Sequence, residues 1–156
     1  MRAEDPVTAA RDAIENLLHT YAERIDAGDF AGVGELFADA VILGPDGSPV
    51  ARGAAEAERL YERTTRRYED GTPRTRHVTS NLILDLDESA GEANGRCTYV
   101  VFQSLPDFPL QPIVTGRYHD RFSSHDGDGW RFRERRMFVD AAGDLSRHLR
   151  IEIPSD

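Results

Sequence analysis

The second half of this chain changes period, and that change limits the folds open to it. From about residue 75, four runs alternate apolar and polar side chains, at about 75–86, 94–105, 112–123 and 130–139. A period of two marks half-buried strands. The runs are separated by "DESAGEANG", "PDFPLQP" and "HDGDG", and the last is a strong hairpin signal. Upstream the spacing is helical. Asp5 is placed to cap a first helix and Pro6 to open it, with Ile14, Leu17, Leu18, Tyr21 and Ile25 on one stripe and Gly28 at the end. Asp29 is placed to cap a short second helix carrying Phe30, Val33, Leu36 and Phe37. "AVIL" at 40–43 reads as a short strand, "GPDGSP" at 44–49 as a turn, and 53–69 as a third helix closed by Gly71 and Pro73. Helices first and strands afterwards predict a single α+β domain over 1–156, with helices packed on one sheet face. The stretch 141–156 is polar, apart from "LRIEI", and reads as a terminal extension.

Composition narrows the function classes. A chain of 156 residues is long enough to bury a proper core. Its formal net charge of −9 argues against nucleic acid, which demands a concentrated basic surface. The arginines of "RFRERR" at 131–136 alternate with other side chains, which suits a strand with one charged face. Cys97 is the single cysteine, so no internal disulfide or cysteine-based zinc site is expected, and "RCTYVVF" makes it a small buried residue. No metal site is expected either: His119, His125 and His148 lack helical pairing or a facial triad, and "HDRFSSHDGD" reads as a solvated hairpin. No apolar run approaches the ~20 residues of a membrane span. The N-terminus has no apolar signal region, and a cytoplasmic location is expected.

Four segments then carry a resemblance. "YAERIDAGDFAGVGELFAD" (21–39), "TRHVTSN" (75–81), "GRYHDRF" (116–122) and "GWRFRERR" (129–136) resemble the SnoaL-like branch of the NTF2-like superfamily. The resemblance implies a curved sheet wrapped around helices, a conical pocket open at one end, and a homodimer through the outer sheet face. It also implies a hydrophobic small-molecule ligand and no cofactor. "YAERIDAGD" is similar to ketosteroid isomerases, but their base just after the first strand has no counterpart in Val41–Pro45. The scytalone-type and bile-acid-type dehydratases fit better. Their pattern implies that Tyr21, Asp26 and His77 share the pocket as catalytic residues. Those dehydratases carry another His or Asp on the following strand, where this chain has Gln103 and Ser104.

An Asp–His pair suits acid/base chemistry. Asp26 would accept a hydrogen bond from the His77 Nδ1–H and stabilise the imidazolium, while Nε2 takes or returns a proton. Tyr21 would polarise the substrate's oxygen. The expected activity is therefore a cofactor-independent lyase or isomerase acting on a hydrophobic, oxygenated molecule such as a polyketide, terpenoid or steroid. The alternatives are a non-catalytic ligand-binding or dimerising module of the same fold, and the small subunit of a ring-hydroxylating oxygenase. Phe30, Phe37, Leu60, Tyr61, Tyr99, Phe102, Tyr118 and Phe138 are candidate lining residues, with Asn81 and Arg136 as polar anchors. Each of the lining residues, like Tyr21, reads equally well as core.

Strand parity raises one conflict. In a regular strand His77, Thr79, Asn81, Ile83 and Asp85 share one face, opposite Val78, Ser80, Leu82, Leu84 and Leu86. A bulge that switches faces would bring His77 inside together with the leucines. The favoured expectation is instead that Leu82 and Leu84 point outward into a dimer interface.

Overall fold

The computed structural model describes residues 5–125 and 129–153. The tight turn read from "HDGDG" falls on 126–128, outside the described residues. Three helices, α1 (Pro6–Asp26), α2 (Phe30–Leu36) and α3 (Gly53–Thr64), accompany six strands: β1 (Val41–Leu43), β2 (Pro49–Arg52), β3 (Thr75–Asp87), β4 (Glu92–Leu105), β5 (Phe108–Ser123) and β6 (Arg131–Ala142). The Asp5 carboxylate accepts from Val7 N at 3.1 Å and so caps α1, with Pro6 in the first turn. Ile14, Leu18, Tyr21 and Ile25 form its buried stripe. Gly28, at φ +73°, turns the chain away, and a Cβ there would lie 2.0 Å from the Gly71 carbonyl oxygen. The Asp29 carboxylate caps α2 through Gly32 N at 2.9 Å.

The strands form one mixed, curved open sheet in the order β2-β1-β6-β5-β4-β3. All neighbours are antiparallel except β1 and β6, which run parallel. The helices lie against its inner face, and the core fills the space between them. β2 replaces the end of the turn expected at 44–49. α3 ends at Thr64, five residues before the expected Glu69, because Thr65 is extended and bridges Leu149. There Arg66 N donates to His148 O at 2.8 Å and Arg150 N to Thr64 O at 2.8 Å. Residues 143–153 therefore fold back across the open end of the sheet rather than trailing from it.

The parity conflict on β3 is resolved within the strand. Its register against β4 slips between Ser80 and Ile83, and Asn81 sits there at φ +56°. Up to Thr79 the odd-numbered residues face inward; beyond the bulge Leu82, Leu84 and Leu86 do, packed against the core. The expectation that Leu82 and Leu84 turn outward to a second subunit is thus corrected. Their burial is intramolecular, over the Cβ-free surface of Gly95.

Candidate active site

Asp26 is the last residue of α1 and His77 the third of β3, so the site joins a helix end to a strand start. The Asp26 carboxylate accepts from Thr75 Oγ1 at 2.9 Å and from His77 N at 2.8 Å. Its Oδ1 lies 2.6 Å from His77 Nδ1. A carboxylate at a helix C-terminus is disfavoured by the macrodipole, and these three contacts offset that cost. They also fix the imidazole plane, with Nδ1 engaged by the carboxylate and the opposite ring edge free. The pair is largely shielded from solvent, with side-chain exposures of 9% for His77 and 15% for Asp26.

His77 lines two hollows. On one side is an open depression of about 660 Å³, which it shares with His19, Glu23, Asp26, Thr72 and Arg76. On the other is an apolar cavity of about 240 Å³ between α1, α3 and the inner faces of β4, β5 and β6. Tyr21, Leu60, Tyr61, Tyr99, Val101, Tyr118 and Met137 line that cavity, and among the described residues no Asp, Glu, Lys or Arg does. The Tyr21 and Tyr61 hydroxyls share a hydrogen bond of 2.9 Å. Tyr99 stacks on Tyr118 with centroids 4.4 Å apart and donates its hydroxyl to Phe138 O at 2.9 Å. Burial raises the Tyr61 and Tyr118 phenols well above their ordinary range, so both are neutral donors. Gly116 permits this packing: a Cβ there would meet Phe138 O at 1.9 Å and Tyr99 Oη at 2.4 Å.

Behind the tyrosines lies a buried ion pair. Arg135 is 0% exposed; it donates through Nε and Nη2 to the two Asp120 carboxylate oxygens, each at 2.8 Å. Its guanidinium lies 3.9 Å from the Tyr118 ring centroid and 4.3 Å from that of Tyr21. Burial pushes the Asp120 carboxyl up, against the pull of the Arg135 charge.

The segment after β6 closes much of the cavity mouth with Leu145, His148, Leu149, Ile151 and Ile153. Arg147 O accepts from Gln103 Nε2 at 3.0 Å and from the Tyr68 hydroxyl. His148 is buried, its ring centroid 6.4 Å from that of His77, and its Nδ1 has no partner among the described residues. Burial first, and then His77, push its imidazole down to about 4.

The structure brings Tyr21, Asp26, His77, Leu60, Tyr61, Tyr99 and Tyr118 to this locality and leaves other candidates outside it. Phe30 and Phe37 are core residues behind the cavity, the first beside Tyr61 and under the Arg67 guanidinium, the second edge-on to Tyr21. Phe102 stands on the opposite face of β4 from Tyr99, three residues away. Asn81 is the exposed bulge residue and not an anchor. Arg136 and Phe138 lie on the outer face, where Arg136 Nε donates to Pro45 O at 3.2 Å. The inward arginine is Arg135, because the β5–β6 register slips between Arg121 and Phe122. Sequence reasoning missed Arg135, Asp120 and His148. Among the described residues no group of three His, Cys, Asp or Glu is placed to hold a metal ion.

The SnoaL-like domain family matches residues 6–136. The chain belongs to the SnoaL-like family. No curated protein matches it. Among solved structures, this SnoaL-like domain is similar to Rv3472(D26N), a protein of unknown function from Mycobacterium tuberculosis, at 26% identity and a TM-score of 0.68, over 89% of this chain and 78% of that one. It is similar in fold to LinA, at 21% identity and a TM-score of 0.69, over 96% and 97% of the two chains. A putative scytalone dehydratase from Novosphingobium aromaticivorans shares the fold at 22% identity and a TM-score of 0.68, over 88% and 89%.

Proposed function

We propose that this SnoaL-like domain is a cofactor-independent lyase or isomerase acting on a small, neutral, oxygenated hydrophobic molecule. The observation that carries the reading is the 2.6 Å contact between Asp26 and His77 in the wall of an apolar cavity. In this mechanism His77 Nε2 takes a proton from a carbon beside a carbonyl. The C–H electron pair moves towards the carbonyl, and Asp26 balances the imidazolium. The protonated ring then returns the proton to another carbon, which migrates the double bond, or to a departing hydroxyl, which completes a dehydration. Of the two protons on Tyr21 and Tyr61, one is used between them, and the other is offered to the substrate oxygen. A cavity of about 240 Å³, lined among the described residues by no carboxylate, lysine or arginine, favours one- or two-ring polyketide or terpenoid fragments over a steroid.

The test is deuterium uptake from heavy water, read by mass spectrometry, over a panel of cyclic ketones, β-hydroxy ketones and enones. Asp26→Asn and His77→Ala are expected to lower exchange and turnover by roughly 10²- to 10⁴-fold while the circular dichroism spectrum is retained. Activity that survives both substitutions would reject the assignment, and a cavity that binds the panel without exchange would favour a ligand-binding module. We further propose that the domain is a cytoplasmic homodimer through the outer sheet face, where Val78 and Ile83 are exposed. Light scattering that returns a monomer mass at micromolar concentration would end the dimer proposal. Among the described residues no helix is long and apolar enough to cross a membrane.

A further inference from the structure

An oxygen that gains negative charge in an apolar cavity is best held by more than one preorganised donor. The Tyr21–Tyr61 pair offers one proton. A second candidate comes from outside the residues of the sheet and helices. His148 lines the same cavity as His77, and the two rings are 6.4 Å apart. The segment that carries it is built to hold it there. Its backbone carbonyl accepts from Arg66 N at 2.8 Å, its N–H donates to Leu145 O at 3.0 Å, and the next residue bridges Thr65. On its other side the Arg147 carbonyl is gripped by Gln103 Nε2 at 3.0 Å and by the Tyr68 hydroxyl. Nδ1 of His148 is sealed off and unpartnered, which leaves Nε2 as the ring nitrogen available to a molecule in the cavity. An orphaned acceptor is tolerated better than an orphaned N–H, so the favoured tautomer keeps its proton on Nε2.

We propose that His148 is a further catalytic residue of this cavity, a neutral imidazole whose Nε2–H donates a hydrogen bond to the substrate oxygen that gains charge when His77 removes a proton. The inference rests on the acid/base reading above and adds a second histidine with a different task. His148 gives up no proton, so the step needs no further acid. Its surroundings keep it neutral. His77 and Asp26 are the titratable groups that act on it within the site, while Arg66, Arg147 and Arg150 line the outer side of its segment. Burial and the neighbouring His77 disfavour charge on His148. Asp26 opposes that push but does not overcome it. The two imidazoles of the cavity thus have different partners: His77 faces a carboxylate at 2.6 Å, and the Nδ1 of His148 faces none among the described residues.

The test needs no known substrate. The probe is 4-nitrophenol at mildly alkaline pH, whose phenolate places a charged oxygen on one planar ring. Its binding to the full-length wild type, His148→Leu and His148→Gln is read by absorbance titration. His148→Leu is expected to weaken binding roughly 10- to 100-fold, the worth of one hydrogen bond to a charged group. Its melting temperature should stay at or above that of the wild type, because an unpartnered buried nitrogen is removed; a purely structural role predicts a fall. His148→Gln, which keeps an N–H donor, should bind within about 3-fold of the wild type. No binding to the wild type, equal binding to the Leu variant, or a Gln variant as weak as Leu overturns the proposal. Exchange that is lost in His77→Ala while phenolate binding ignores His148 would leave the acid/base reading intact and remove this one. Phenolate binding that depends on His148 in a protein without exchange would keep the His148 donor but overturn the acid/base reading, and with it the catalytic role proposed for His148.

Discussion

Arg135 shows how far a single residue is committed. A guanidinium with no exposure is tolerated only because Asp120 binds it through both oxygens and aromatic rings cover its faces. Asp120→Asn leaves the charge buried without its counter-ion and should cost about 3–5 kcal/mol in urea denaturation. His148 gives a second prediction, for pH. Its folded value of about 4 lies below the ordinary 6.5, so the unfolded chain binds more protons between the two. Stability from this residue is complete above pH ~6.5 and falls as the pH drops towards ~4, by about 3 kcal/mol in all. In His148→Leu that slope should vanish from urea midpoints measured across the same range. Legibility at this scale was uneven. Asp26 and His77 were visible through their local wording, since both lie in quoted segments. Within "RFRERR" strict alternation from the buried Phe132 points to Arg136, and the extra residue opposite Arg121–Phe122 turns Arg135 inward instead. No side-chain pattern in that run announces the slip.

Elements were more readable than their irregularities. The caps of α1 and α2 and the four long strands follow from spacing and turn residues, which act within a few positions. The bulge on β3 rests on one residue in left-handed conformation, and asparagine is common enough elsewhere to pass unnoticed. Asn81→Gly should leave stability nearly unchanged, whereas Asn81→Val should cost roughly 1–2 kcal/mol by urea titration. Gly116 offers a sterner case, because the atoms a methyl would meet are a backbone oxygen and the hydroxyl of a stacked tyrosine. Gly116→Ala is expected to lower stability by about 1–3 kcal/mol and to disturb the near-ultraviolet circular dichroism of the tyrosines. The shortening of α3 was hidden for another reason. Helical spacing continues past Thr64, but Thr65 and Arg66 are claimed by residues more than eighty positions away.

At the scale of the molecule, the sheet and helices make the vessel and the chain end covers it. The stretch after β6 reads as a polar extension because its ties are largely backbone hydrogen bonds, which any sequence can make. Removing residues 143–156 should therefore leave a folded domain with its cavity bared. Binding of an apolar fluorescent dye should rise several-fold, and larger ring systems should be admitted. The uncut protein should bind the dye weakly.

The partition between the two hollows has a consequence for how such a site returns to its starting state. It is one pair of side chains thick: Asp26 borders the open depression, His77 borders both sides, and 2.6 Å separates them. Buffer ions and water can reach the carboxylate end without crossing the apolar space. In the proposed reaction the imidazole would therefore be recharged or relieved from the rear while a guest molecule still occupies the front. Resetting the base and releasing the product would then be separate events, with separate clocks.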